Sequence, residues 1–260
     1  MYDAHPLAHG FPIKSAFHGG FGWSSVNLFR TENRVVIVDT GSPSHGGMVR
    51  ANLAELGLTT ADVTDVLLTH LHWDHVGNIG MFPEATLTVH QAEYDWATNH
   101  PEPDSVFLSK PYLDYVVASN QPKNFLTGMD EGGELFPGIS WFPTPGHTPG
   151  HIAFRVATAE GGVLLSGDSV KNRVELFSGV PDLSMDLAAS QRSSDKVRAI
   201  LSADSSISLL PGHDNRLRMV GGEVLDEGPT LREIFTVNFD AKTGPVKVEL
   251  GATDAHLPIA

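Results

Sequence analysis

The segment 69–78, THLHWDHVGN, places three histidines and one aspartate within six residues, at His70, His72, Asp74 and His75. Imidazole and carboxylate groups crowded in this way are typical of a metal site, because histidines this close would repel each other on protonation without a shared partner. In an extended segment, residues i and i+2 point the same way, so His70 and His72 can bind one ion together. Asp74 and His75 follow where the chain is expected to turn into a helix, and they point toward a second ion.

Four ligands are too few for two ions, and three later positions offer the remaining donors. His147 lies in the Gly/Pro-rich loop PTPGHTPGH, Asp168 follows the apolar run VLLSG, and His213 follows a Pro-Gly pair. We predict that Asp168 bridges the two sites, since two-metal hydrolytic centres hold their ions about 3.5–4 Å apart. Asp74 and Asp168 are also predicted to be catalytic by guiding a proton. The first predicted site is His70, His72 and His147, and the second is Asp74, His75 and His213, with Asp168 shared.

Strand ends are the elements that must bring these residues together. Several of the polar residues directly follow apolar runs that are predicted to be strands, and the carboxyl ends of strands line the functional crevice of α/β proteins. Asp39, at the end of the first run, is predicted to orient a ligand histidine, with a structural turn residue as the alternative. Gly57 is expected to end the first helix and Asp186 to begin the second. The predicted strands are Arg34–Val38, 62–69, 85–90, 139–142, 151–158, 162–167 and 206–210, and the predicted helices are 44–56 and 186–202.

The remaining segments are predicted to frame the site. Residues 91–133 carry few strand signals and are predicted to be a helical insertion that covers the site, with an ordinary surface excursion as the alternative. Just past the predicted bridge, Lys171, Asn172 and Arg173 are predicted to contact substrate, with a solvated loop as the alternative. The other histidines are expected to have ordinary structural or surface roles: His5, His9, His18, His45, His90, His100, His151 and His256.

Composition limits the classes of function. The 260 residues contain no cysteine, so thiolate ligands, disulfides and a cysteine nucleophile are excluded. The net charge of -14 argues against a nucleic-acid partner, which needs clustered Lys and Arg. No apolar run approaches the roughly 20 residues of a membrane span, and the first residues do not resemble a secretory signal. We therefore predict one cytoplasmic domain over residues 1–260 that acts on a small molecule, away from membranes, with a homodimer left open.

Together, the motifs VVIVDTG, THLHWDHVGN, PTPGHTPGH, LLSGD and PGH, in this order, resemble the metallo-β-lactamase fold superfamily. The resemblance spans residues 35–213. It implies an α/β fold, the αββα sandwich, in which two mixed β-sheets lie face to face with helices outside and a dinuclear site at one edge. It also implies two zinc ions as the usual cofactors, with iron, manganese and cobalt as known substitutes.

Departures from the patterns of individual branches narrow the resemblance. The absence of cysteine excludes the group of β-lactamases that uses a cysteine ligand. The other true β-lactamases lack the bridging aspartate, which is present here as Asp168. Flavo-diiron proteins carry an acidic residue at the position of His72, so this chain does not match them. Asp168 follows His147 by 21 residues and precedes His213 by 45, which is most similar to the N-acyl homoserine lactonases. Those lactonases usually carry a tyrosine at the position of Lys171.

These observations predict an enzyme, a metal-dependent hydrolase. Two zinc ions and a metal-bridging hydroxide would open a small lactone or cleave an ester. A phosphodiesterase or nuclease and a thioesterase would use the same two-metal site, and a mononuclear iron enzyme similar to the sulfur dioxygenases is a further alternative. A purely structural metal site is the least favoured alternative, because structural zinc sites are closed four-coordinate clusters, whereas this set of ligands leaves open positions.

Overall fold

The computed structural model of the chain describes residues 1–11, 22–102 and 107–229, and beyond these ranges the backbone of four further strands. The strands are β1 (Asp3–Ala8), β2 (Lys14–Ser15), β3 (Gly19–Gly20), β4 (Val26–Thr31), β5 (Arg34–Val38), β6 (Asp65–Leu67), β7 (Thr86–His90), β8 (Lys123–Leu126), β9 (Gly133–Phe136), β10 (Ile139–Pro143), β11 (Ile152–Thr158), β12 (Gly161–Gly167), β13 (Ser208–Pro211), β14 (Leu217–Val220), β15 (Glu223–Asp226), β16 (Arg232–Val237) and β17 (Val246–Gly251). The helices are α1 (Gly46–Glu55), α2 (Trp73–Val76), α3 (Gln91–Thr98), α4 (Lys110–Ala118), α5 (Arg173–Ser178) and α6 (Leu187–Ala203), with 3-10 turns at Pro43–His45, Thr60–Asp62 and Ile79–Met81.

Two mixed sheets organise the chain. The first has the strand order β1-β4-β5-β6-β7-β8, and the second has the order β15-β14-β13-β12-β11-β10-β9. Strands β5 to β8 pair in parallel, and so do β12 and β13, while the outer pairs are antiparallel. Two separate hairpins, β2–β3 and β16–β17, complete the strand pairing of the described backbone.

Side-chain alternation along the strands explains why the sheets pack face to face. On β5, Val36 and Val38 face a layer shared with Phe154 and Leu165 of the second sheet, whereas Ile37 faces the opposite side. The opposite side of the first sheet packs against α1, α3 and α4, and that of the second sheet packs against α5 and α6. This layering confirms the predicted αββα sandwich.

Local signals explain where the predicted elements begin and end. Gly57 has φ +73°, and the Leu58 amide donates to the Leu53 carbonyl at 2.9 Å, which is the hydrogen bond of a Schellman motif. The strand predicted over 62–69 begins only at Asp65, because Asp62 and Thr59 form a capping box around a 3-10 turn.

The predicted helical insertion has a mixed structure. Its described residues contain α3 and α4, but also β8, which extends the first sheet by pairing in parallel with β7. The prediction of a helical segment is therefore wrong for Lys123–Leu126.

No helix within the described ranges is both long and apolar enough to cross a bilayer.

Candidate metal centre

The centre lies where parallel strands of both sheets end. Asp39 directly follows β5, and His70 follows shortly after β6, its parallel neighbour. In the second sheet, Asp168 directly follows β12, and His213 lies two residues past β13, which pairs with β12 in parallel. Because parallel neighbours end at the same edge of their sheet, four residues that are distant in sequence come together.

The first ligand group is formed by His70, His72 and His147. Each offers one ring nitrogen, and these nitrogens lie within 4.8 Å of one another in a buried environment. His72 Nδ1 and His147 Nε2 are 3.0 Å apart. Two imidazole nitrogens can approach so closely only around a shared proton or cation, because two lone pairs would repel. The group therefore has the donors and the spacing of a metal site.

The second ligand group is formed by Asp74, His75 and His213. The extended backbone of His72 leads into α2, the short helix that carries Asp74 and His75. The Asp74 Oδ2 oxygen lies 3.4 Å from His213 Nε2 and 3.9 Å from His75 Nε2. These three ligand atoms also lie within 4.8 Å of one another.

Asp168 lies between the two groups. Its Oδ1 is 3.2 Å from His75 Nε2 and 3.3 Å from His213 Nε2, both in the second group. Its Oδ2 is 3.2 Å from His147 Nε2 in the first group. Burial acts to raise the pKa of Asp168, but the surrounding histidines hold that pKa well below its ordinary value. The carboxylate thus stays ionised, with one oxygen directed to each ligand group.

Several ligand rings are held by hydrogen bonds on their other nitrogen. His75 Nδ1 donates to Asp39 Oδ2 at 2.8 Å, and Asp39 in turn accepts from the Thr69 amide and hydroxyl at 2.8 and 2.9 Å. His147 Nδ1 donates to the Leu183 carbonyl at 2.8 Å. Such bonds select the tautomer that leaves Nε2 free as a metal ligand. Asp39, which the sequence predicts to orient a ligand histidine, makes this contact.

The protonation states of the first ligand group suit metal binding. Burial lowers the pKa of His72 to about 3, and burial also holds the pKa of His70 and of His147 well below the ordinary histidine value. These rings are neutral at pH 7, as metal ligands must be. For His75, burial acts to lower the pKa, but the charges of Asp39 and two further aspartates raise it above its ordinary value.

Unpartnered polar atoms provide the test of whether the residues fit a metal. His70 Nε2, His75 Nε2 and Asp168 Oδ1 are buried, and none of them makes a hydrogen bond of good geometry, although His75 Nε2 and Asp168 Oδ1 lie 3.2 Å apart. The same three residues have ligand atoms within 4.8 Å of one another. A buried polar atom without a partner costs about 1–3 kcal/mol, and a cation bound between these three atoms would compensate all of them. The donor set of five histidines and two aspartates fits divalent transition metals.

The residues predicted to contact substrate have partners inside the protein. Asn172 begins α5, and its side chain accepts from the backbone amides of Val174 and Glu175. Arg173 donates from Nε and Nη2 to the two carboxylate oxygens of Asp214, at 2.9 and 2.6 Å. Both side chains therefore stabilise the local structure. Their substrate contact stays a prediction.

Lys171 is also bound within the protein. It is 6% exposed, and its Nζ lies 2.9 Å from Glu175 Oε1. Nζ also donates to the backbone carbonyl of Asp182. Substrate contact by Lys171 stays a prediction, whereas these internal contacts give it a role in local structure.

Two buried residues at the centre were missed by sequence reasoning. His151 Nε2 accepts from the Asp168 amide at 3.0 Å, so this ring holds the backbone of Asp168 in place. Glu93 accepts from the Leu71 amide at 2.9 Å and the Gly150 amide at 3.1 Å, which joins the two histidine-bearing loops. The repeated PGH of PTPGHTPGH was a signal for His151. Two other histidines that were given ordinary roles, His18 and His256, lie outside the described residues.

An apolar cavity opens beside the first ligand group. It has a volume of about 320 Å³. The Phe107 ring stacks on His72 with centroids 5.3 Å apart, so the cavity wall reaches the ligands directly. The cavity is lined by His72, Trp96, His100, Phe107, Leu108, His147, Leu183, Ser184 and Met185.

Known proteins share both the sequence pattern and the fold. A model of the Metallo-beta-lactamase superfamily matches residues 19–213. The chain is 27% identical over 211 residues to an N-acyl homoserine lactonase of Bacillus sp, and this alignment covers 72% of this chain and 79% of the relative. It is 31% identical over 201 residues to Metallo-beta-lactamase domain-containing protein 1 of Mus musculus, which covers 76% of this chain and 66% of the relative.

A solved structure has the same fold. The protein in that structure is an N-acyl homoserine lactone hydrolase with the product N-hexanoyl-L-homoserine bound at its catalytic metal centre. It aligns with a TM-score of 0.64 and 22% identity, over 82% of this chain and 92% of that chain.

Proposed function

Because the chain belongs to the metallo-β-lactamase superfamily and is a metal-dependent hydrolase, we propose that it uses two divalent ions to hydrolyse a small lactone or another ester. Zinc is the proposed metal, with iron, manganese or cobalt as substitutes. The observation that carries the two-ion proposal is the place of Asp168, which directs one oxygen to His147 and the other to His75 and His213. A single ion would leave one of the two ligand groups unused.

The proposed reaction depends on ions held by the two ligand groups. When bound, such ions would lower the pKa of a bound water toward 7 and would polarise a carbonyl oxygen. The chain's own residues supply neutral imidazoles at the first ligand group and the ionised carboxylate of Asp168 between the two groups. The side chain of Asp74 is 11% exposed, against 5% for Asp168, so Asp74 is the better placed carboxylate to exchange a proton with solvent.

The cavity and the charges around it support an ester or lactone over a phosphodiester. The apolar side chains of Trp96, Phe107 and Met185 suit the hydrocarbon part of a small carbonyl substrate. The cationic groups of Lys171 and Arg173, just past Asp168, already have carboxylate partners, which reduces their attraction for a phosphate. The likeness to an N-acyl homoserine lactonase also supports a lactone. A small molecule is thus the proposed partner.

A substrate panel on metal-defined protein tests the proposal. Protein loaded with zinc is assayed against a lactone, an aryl ester, a thioester, a β-lactam and a bis-aryl phosphate. We expect the lactone or the ester to be hydrolysed fastest, and a faster bis-aryl phosphate would reverse the assignment. Elemental analysis of the same protein should find two ions per chain, and a single tightly held ion would contradict the two-ion proposal.

A further inference from the structure

The lysine just past Asp168 belongs to a buried network that the proposed reaction does not use. Lys171 and Glu175 form an ion pair, called here the buried pair, with side chains 8% and 4% exposed. Removing charges from water costs several kcal/mol per ion, which is recovered only when the pair has good geometry and further hydrogen bonds. The further bonds of the buried pair therefore indicate what it holds in place.

These bonds converge on the backbone of a single residue, Asp182. Glu175 Oε1 accepts from the Asp182 amide at 2.9 Å, and Lys171 Nζ donates to the Asp182 carbonyl. Glu175 Oε2 accepts from the Lys171 amide at 2.7 Å, so the carboxylate joins both ends of the segment 171–182. The buried pair thus holds the backbone directly before Leu183.

Leu183 and the residues after it in turn hold a metal ligand. Leu183 has φ +49°, a left-handed conformation that a branched residue adopts only when its surroundings impose it. Its carbonyl accepts from His147 Nδ1 at 2.8 Å. The Met185 amide donates to the His147 carbonyl at 3.4 Å, and the Asp186 amide donates to the Gly146 carbonyl at 2.9 Å.

We infer that Lys171 and Glu175 are positioning residues for His147: the buried pair imposes the conformation of Leu183, whose carbonyl orients the His147 ring. Loss of the pair then weakens metal binding at the first ligand group more than at the second. The second group is less affected because the His213 amide bonds to the Lys171 backbone carbonyl, which a side-chain substitution retains. The inference rests on the proposed function only for the presence of two ions.

The experiment compares Lys171→Met/Glu175→Gln with the unaltered chain. The double substitution removes both charges together, so that no unpaired charge is left buried. Zinc is withdrawn stepwise with a graded chelator, and His147→Ala identifies the step that belongs to the first group. We expect the zinc affinity of that step to fall roughly tenfold or more, with the other step unchanged. In the zinc-free protein, hydrogen exchange at the amides of Met185 and Asp186 should become faster.

Two further variants separate positioning from general damage. Lys171→Arg keeps the charge and the donors, and it should retain most of the zinc affinity of the first group. Lys110→Met is the matched control, because Lys110 forms the same i,i+4 pair with Asp114 on the surface, with both side chains more than half exposed. It should change neither step.

Equal weakening of both zinc steps, or unchanged exchange at Met185 and Asp186 in the double variant, would overturn the inference. Failure of the proposed function has a different signature, namely one bound ion or no hydrolysis by the unaltered chain. Hydrogen exchange in the zinc-free protein still tests the buried pair in that case.

Discussion

Replacing Asp168 by asparagine keeps the shape of the side chain but removes the charge that the two ligand groups share. The carboxylate oxygens lie 3.2 to 3.3 Å from the Nε2 atoms of His75, His147 and His213. At an effective dielectric constant near 20, a unit charge about 4 Å from another contributes about 4 kcal/mol. The amide dipole and entering water recover part of this energy. We therefore expect Asp168→Asn to lose activity on the order of a hundredfold, about 2.7 kcal/mol of barrier, or more.

Metal content, circular dichroism and rate are measured on the same Asp168→Asn preparation. The fold should be retained, because Asp168 lies outside the apolar layers that hold the sheets together. Asp114→Asn, which removes a carboxylate that is 62% exposed, is the control and should behave as the unaltered chain does. Two full metal equivalents with near-native turnover in Asp168→Asn would refute a bridging role.

Three further predictions follow from the surroundings of the centre. Asp39→Asn removes the carboxylate that accepts the hydrogen bond from His75 Nδ1, and chelator titration should show that zinc affinity at the second group falls roughly 10–100-fold. Full zinc affinity in this variant would show that Asp39 is only a structural turn residue. Gly150→Ala places a Cβ atom 2.1 Å from the Glu93 amide nitrogen, and urea unfolding should show a loss of about 1–3 kcal/mol, whereas an unchanged midpoint would contradict this packing. Burial lowers the pKa of His151 to about 3, below that of an unfolded histidine, so the stability it contributes is present above about pH 6.5 and is lost as the pH falls. His151→Gln in the zinc-free protein should therefore reduce the loss of unfolding free energy between pH 6.5 and pH 5 by about 2 kcal/mol, and an unaltered pH dependence would show that the fold does not lower the pKa of His151.

The type of chemistry and the fold class were readable in the sequence. Alternation along an extended segment directs His70 and His72 to one side, and a short helix turns Asp74 and His75 to another. Both features depend only on neighbouring residues. The apolar runs before Asp39 and the other strand-end residues are also local features. They predicted the crevice because buried parallel strands are continuous apolar segments. The seven side chains predicted to bind metal lie together in the structure.

Strand β8 was not readable in this way. Its first three residues are half-buried and only Leu126 is buried, so Lys123–Leu126 carries no alternation that marks a strand. The segment becomes a strand because β7 offers it a parallel partner, with Leu87 opposite Lys123. Pairing of this kind depends on the edge of a sheet that has already formed.

The sequence by itself determined the ligand types, their local spacing and the strands that carry them, because each is decided over a few consecutive residues. The tertiary structure decided which partners the remaining polar groups have. Arg173 bonds to Asp214, 41 residues away, and the Lys171 side chain bonds back to Asp182. His151 shares the PGH pattern of the ligand His147, yet its Nε2 is occupied by the Asp168 amide. A charged or polar side chain binds whichever group packing places beside it, and that proximity exists only after the two sheets have come together.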